Sequence, residues 1–157
     1  MKPRLYLETT IPSYLVARRS RDLRLAADQE TTQQWWEAER HDYELFISQA
    51  VVFEVSQGDA NFAAARLGHL RDVPLLPRTP AASALITHLL ASGIIPAVAE
   101  DDAVHIGLAA MHGMDFLLTW NCRHINNHHN RARIGRACAA FGLAVPDICT
   151  PAELMKL

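Results

Sequence analysis

Charge is scarce in this 157-residue chain: only 20% of its residues are charged while 50% are hydrophobic, a balance that excludes a disordered protein. Long apolar runs are also missing. The hydrophobic stretches are too short or too interrupted to span a bilayer, so no membrane partner is expected. The N-terminal MKPRLYLE has no apolar signal core, and the three cysteines (Cys122, Cys138, Cys149) are an odd number without metal-ligand spacing. No disulfide is expected, and a cytoplasmic location is the natural reading. A Gly-rich phosphate loop and a DxDx nucleophile motif are both absent, which argues against a doubly wound phosphohydrolase acting on small phosphate esters. With no repeat, low-complexity tract or interdomain linker, residues 1–157 are expected to form one domain. A chain of this size buries roughly 70% of its unfolded surface, so it needs no metal merely to fold.

The net charge of −2 opposes coating duplex DNA by bulk electrostatics, although nearly all of the 15 basic residues are arginine, whose planar fork suits phosphate. Their placement is uneven. Arg18, Arg19, Arg21 and Arg24 cluster in one segment, and Arg123, Arg131, Arg133 and Arg136 in another with His124, His128 and His129. Either cluster alone also reads as a solvated face with ordinary salt bridges.

The stretch AEDDAVHIGLAAMHGMDFLLTWNCRH (99–124) organises the rest. Val104, Leu108 and Met111, with Ala103, Ile106 and Ala110, form two neighbouring stripes that predict a buried helix stopped by Gly113. Phe116-Leu117-Leu118 then reads as a strand buried on both faces. Asp101 and Asp102 stand at the start of this helix, while Thr119, Asn121 and His124 follow the strand.

Elsewhere the pattern predicts strands at 4–7, 45–47, 73–76 and 145–149. Helices are expected at 12–17 with Thr10 as cap, 23–41, 49–57 capped by Ser48, 60–70 capped by Asp59, 81–91 and 132–141, with an irregular segment at 125–130. Trp35 and Trp36 read as packing residues. The alternation predicts an α/β, three-layer fold with a mainly parallel central sheet flanked by helices. Ligands bind such sheets beyond the carboxyl ends of the strands. Glu8 follows the first strand there, Thr119 to His124 follow the fourth, and Asp102 and Glu54 come from helices joined to neighbouring strands. Glu54 lies among Val51, Val52 and Val55, where an ionised carboxylate needs a positive neighbour.

Carboxylates sharing a crevice repel one another, and a hard divalent cation relieves the repulsion. Oxygen donors with few imidazoles suit Mg²⁺ or Mn²⁺ rather than zinc, and such a metal serves nuclease chemistry. Each acid also has a structural reading: Asp101 and Asp102 opposing the helix dipole, Glu8 holding a loop, Glu54 pairing with an arginine.

The segments LYLETTIPSYL, VVFEVSQGD, AEDDAVHIGLAA and DFLLTWNCRHI, in this order, resemble the PIN-domain ribonucleases, especially the VapC-type toxins of type II toxin–antitoxin pairs. The resemblance implies a PIN-like fold and a metal-dependent endoribonuclease that hydrolyses RNA phosphodiesters with Mg²⁺ or Mn²⁺. It maps Glu8, Glu54 and Asp102 to the metal and adds Asn121 to the catalytic set. Thr9, Asp101, Thr119 and His124 are implied as supporting or phosphate-contacting residues, with His124 standing where the family has a fourth acid. Arg18, Arg19, Arg21, Arg123 and Arg131 become candidates for a single-stranded RNA track. An antitoxin and a homodimer are the implied partners. Because Glu8 and His124 replace aspartates, the alternative is a PIN-like module that binds RNA or protein with little or no turnover. His105, one turn beyond Asp102, reads as a packing or supporting histidine.

Overall fold

The two central strands and helix Glu100–Met111 hold the most deeply buried part of the chain, the strands because a strand covered on both faces can be apolar at successive positions. The structure, a computed structural model, describes residues 1–156; Leu157, included in the expected domain, lies outside the described residues. Strands β1 (Arg4–Leu7), β2 (Glu44–Phe46), β3 (Phe116–Leu118) and β4 (Asp147–Cys149) form one all-parallel sheet in the order β2-β1-β3-β4. Leu5, Tyr6, Leu7, Leu117 and Leu118 are completely buried in its two central strands.

Helices α1 (Thr10–Val16) and α2 (Leu23–Ala38) link β1 to β2. Helices α3 (Gln49–Val55), α4 (Ala60–His69), α5 (Pro80–Ala91) and α6 (Glu100–Met111) link β2 to β3, α7 (His128–Ala140) links β3 to β4, and α8 (Pro151–Leu154) follows. The first crossover runs one way along the sheet and the later ones the other way, so right-handed connections put α1 and α2 on one face and α5 to α7 on the opposite face. The packing agrees: α2 contacts α1 and α8, and α5 contacts α6 and α7. This is the expected α/β architecture of a parallel sheet flanked by helices. The direction of winding switches between β1 and β3, and the crevice outside their carboxyl ends is where such sheets receive ligands.

Helices α5 and α6 approach closely at Gly107, where an added Cβ would lie 2.5 Å from Cγ1 of Ile86. Gly113 takes the left-handed φ of +66° that closes α6 before β3. Trp35 and Trp36 are buried, as their packing role requires, and all three cysteines are unpaired. No helix among the described residues is long and apolar enough to cross a membrane.

Several expected boundaries move. The strand expected at 73–76 is reduced to a single parallel bridge of Leu75 to Ile47, because Pro74 has no N–H to extend a ladder and Pro77 follows directly. Helix α2 stops at Ala38 and passes into a 3-10 turn at Arg40–Asp42, short of the expected His41. Asn127 caps α7 by accepting from the His129 N–H, so that helix begins within the expected irregular segment, and β4 starts after Pro146. Thr10 is the first residue of α1 and not its cap. Ser48 precedes α3 without a side-chain cap bond.

Candidate functional site

The carboxyl rim between β1 and β3 carries two threonines that hold Glu8. The carboxylate is 3% exposed, and its Oε1 accepts from Thr119 Oγ1 at 2.7 Å, from Thr10 Oγ1 at 2.5 Å and from the Thr10 N–H at 3.1 Å. The sequence-level alternative for Glu8, a carboxylate that accepts bonds from its loop, is therefore realised. Thr10 and Thr119 also tie the rim together. The Trp120 N–H donates to Thr10 Oγ1 and the Asn121 N–H to Thr119 Oγ1, each at 2.9 Å. Thr9 Oγ1 is buried without a polar partner among the described residues.

From Asn121 the network continues to α6. Its Nδ2 donates to Asp102 Oδ1 at 3.1 Å, while its Oδ1 accepts from the N–H groups of Arg123 and His124. The turn after β3 thus folds around the same amide that holds Asp102. His124 Nδ1 lies 2.9 Å from Asp102 Oδ2. Both oxygens of that carboxylate are therefore engaged, one by an amide and one by an imidazole.

Glu54 is held from behind the sheet. Its Oε1 lies 2.6 Å from His105 Nε2; His105 Nδ1 lies 2.6 Å from the Tyr6 hydroxyl, which lies 2.7 Å from Ser48 Oγ. Tyr6 and His105 are fully buried and Ser48 nearly so. With Glu54 ionised, Nε2–H donates to it, and a neutral imidazole then accepts the Tyr6 O–H at Nδ1. Burial and the neighbouring charges of Glu8 and Glu54 push the Tyr6 phenol far above its ordinary range, so it remains a donor. Burial pulls the His105 imidazole down, but the Glu54 hydrogen bond and the charges of Glu8, Glu54 and Asp102 outweigh it, and the net direction is up. All three carboxylates thus act on one buried ring.

An open pocket of about 450 Å³ brings Glu54, Glu100, Asp101, Asp102 and His124 together beside the 3-10 turn Ala97–Ala99. Glu8 is not part of its lining and reaches it only through the Thr119 and Asn121 turn. Asp101 makes no side-chain hydrogen bond among the described residues. Partial burial raises its carboxyl, helped by the charges of Glu54, Asp102 and Glu100. The pocket is acid-rich, and its oxygen donors are of the type that suits a hard dication. Among the described residues, no three His, Cys, Asp or Glu side chains are grouped closely enough to hold a metal ion. The donor chemistry fits Mg²⁺ or Mn²⁺ at Glu54 and Asp102 with Asp101 beside them, while Glu8 is committed to its threonines.

The arginines expected to form an RNA track do not line the acidic pocket. Arg18 lies over the Phe62 ring at 5.7 Å, Arg19 pairs with Glu30, and Arg131 donates to Asn126 Oδ1. Arg21 and Arg123 are exposed, and none of the five lines the acidic pocket. Sequence reasoning missed Thr10, Tyr6 and Ser48 as parts of the site. Thr10 carried the clue of adjacency to Glu8; Tyr6 carried that of a hydroxyl within an apolar strand.

Comparison of the chain with protein-family models and with curated proteins finds no match.

Proposed function

We propose that the chain is a Mg²⁺- or Mn²⁺-dependent endoribonuclease of the PIN-domain type, resembling the VapC toxins and acting within the cytoplasm. The observation that supports this reading most is the gathering of Glu54, Asp101, Asp102 and His124 in one open pocket, at the rim where β1 and β3 deliver Glu8, Thr119 and Asn121. Glu54 and Asp102 would hold the dication, which supplies Lewis acidity toward a phosphodiester and its attacking water. Asn121 fixes the rotamer of Asp102, and His105 fixes that of Glu54. Glu8 anchors the turn after β3 through Thr119 and adds negative charge behind the pocket. His124 holds Asp102 in place of the fourth acid and presents its ring to the same pocket. An antitoxin and a second copy of the chain are the partners this reading implies, and exposed Phe53 and Leu75 give apolar surface on which either would pack.

The test is cleavage of single-stranded RNA in Mg²⁺ or Mn²⁺, with and without EDTA. Cleavage should require the metal and be lost in Asp102→Asn. Cleavage that survives chelation or that substitution overturns the proposal.

A second reading is favoured by one observation, the double engagement of Asp102 by Asn121 and His124. It is a PIN-like module that binds RNA or protein with little or no turnover. Tight RNA binding without cleavage across a range of Mg²⁺ and Mn²⁺ concentrations would select it.

A further inference from the structure

Negative side chains are unevenly distributed along this chain. No Asp or Glu occurs from 73 to 99 or from 116 to 146, and these two segments contain α5 and α7, which pack on each other. Between them lies a groove of about 270 Å³ lined by His88, Ser92, Ile94, Arg133, Arg136 and Ala137. Arg133 and Arg136 stand three positions apart on α7, and His88 and Ser92 four apart on α5, so each pair shares one face of its helix. Ile94 and Ala137 are buried and form the floor.

Unlike Arg4 and Arg66, whose guanidinium groups donate to backbone carbonyls, Arg133 and Arg136 make no hydrogen bond or ion pair among the described residues. The His88 ring makes no side-chain hydrogen bond among the described residues and lies tilted beside Phe141, with centroids 5.7 Å apart. Two guanidinium forks and an imidazole therefore face one groove with no acid to neutralise them, the arrangement that recognises phosphate oxygens.

Both chain connections lead from the groove toward the acidic pocket. Ile94 is three residues before Ala97, which lines that pocket, and α7 begins four residues after His124, which also lines it. We propose that this α5–α7 groove binds a backbone phosphate of single-stranded RNA, holding the strand by Arg133 and Arg136 while a neighbouring phosphodiester lies at the carboxylates. As a statement about substrate, it rests on the ribonuclease reading above. It narrows the anchoring charge to two arginines of the second cluster, Arg133 and Arg136, that share a groove.

The experiment measures binding of a fluorescently labelled single-stranded RNA to the full chain in EDTA, so that no turnover occurs, as a function of salt. Arg133→Ala with Arg136→Ala should weaken binding by roughly tenfold and lower the salt slope by about 0.7, as loss of one neutralised phosphate on a single strand requires. Exposed Arg71→Ala should change affinity less than about twofold. Retained affinity and slope in the double variant, with an unchanged Tm, overturn the proposal. Inorganic phosphate and a nucleoside monophosphate form a second arm. If either binds through these arginines while RNA affinity ignores them, the ligand is a small phosphate and the RNA assignment falls. Displacement of the RNA by polyglutamate at lower charge concentration than by unlabelled RNA points to an acidic protein and overturns it equally. Failure of the ribonuclease reading looks different: arginine-dependent RNA binding persists, but added metal produces no cleavage.

Discussion

The Tyr6 hydroxyl bridges Ser48 Oγ and His105 Nδ1, so a tyrosine in the central strand carries the contact that fixes a histidine one ring away from Glu54. Tyr6→Phe keeps the ring and its packing but leaves two buried polar atoms without a partner. Unfolding free energy should fall by about 1–3 kcal/mol, measured by urea titration. Combining Tyr6→Phe with Ser48→Ala should cost less than the sum of the single losses, since both remove the same hydrogen bond. If the ribonuclease reading holds, Tyr6→Phe should lower kcat more than it raises KM, because it loosens Glu54 without touching the groove that holds RNA.

The Glu8 clasp gives a second expectation. Thr119→Val is nearly isosteric but removes both the donor to Glu8 and the acceptor for the Asn121 N–H. Stability should fall by about 1–3 kcal/mol, a Tm decrease of several degrees for a chain of this size. Thr119→Ser, which keeps the hydroxyl, should recover most of the loss in the same calorimetric scan.

Asp101 sets a pH dependence. Its folded-state carboxyl is raised by partial burial and by the neighbouring acids, so the folded chain holds that proton more tightly than the unfolded chain does. The resulting penalty is absent below the unfolded value of about 3.9 and grows as pH rises from there through the folded value. Asp101→Asn removes the penalty. Its Tm should exceed that of the native chain at about pH 7, with the difference vanishing toward about pH 3. A difference that stays constant across this window would show that neither burial nor the neighbouring acids shift this carboxyl.

Gly107 tests the packing beneath the site. Alanine is worth up to about 1 kcal/mol over glycine inside a helix, yet here its Cβ would press into Cγ1 of Ile86, a methylene of a buried β-branched side chain. Gly107→Ala should therefore destabilise by about 1–3 kcal/mol, and pairing it with Ile86→Ala should recover part of the loss.

Much of this architecture was legible because its signals are local. Leu5 to Leu7 and Phe116 to Leu118 are short apolar runs at consecutive positions, the pattern of strands covered on both faces. The segment 73–76 is also apolar but ends as one bridge, since what decided it was the missing proline N–H and not hydropathy. Helix α7 starts earlier than periodicity suggested because its first turn, His128 to Arg131, faces solvent and carries no apolar stripe. Within the site, Glu54 and Asp102 were found where position and residue type agreed, and both line one pocket. Their partners were harder to see. The contacts of Tyr6 with Ser48 and His105 join positions 42 and 99 residues apart, and no spacing along the chain encodes such a meeting. The structural alternative for Glu54, pairing with an arginine, named the right need and the wrong residue; a buried histidine lies at that carboxylate.

The pairing of the first strand with the third has a temporal consequence. Glu8 and the hydroxyl that clasps it are 111 positions apart. During synthesis Glu8 and Glu54 are made well before Thr119, Asn121 and His124, while Asp102 comes only shortly ahead of them. Until then β1 has no inner neighbour and the acids have no fixed bearings, so whatever the rim does, it waits for β3 and the turn that follows it.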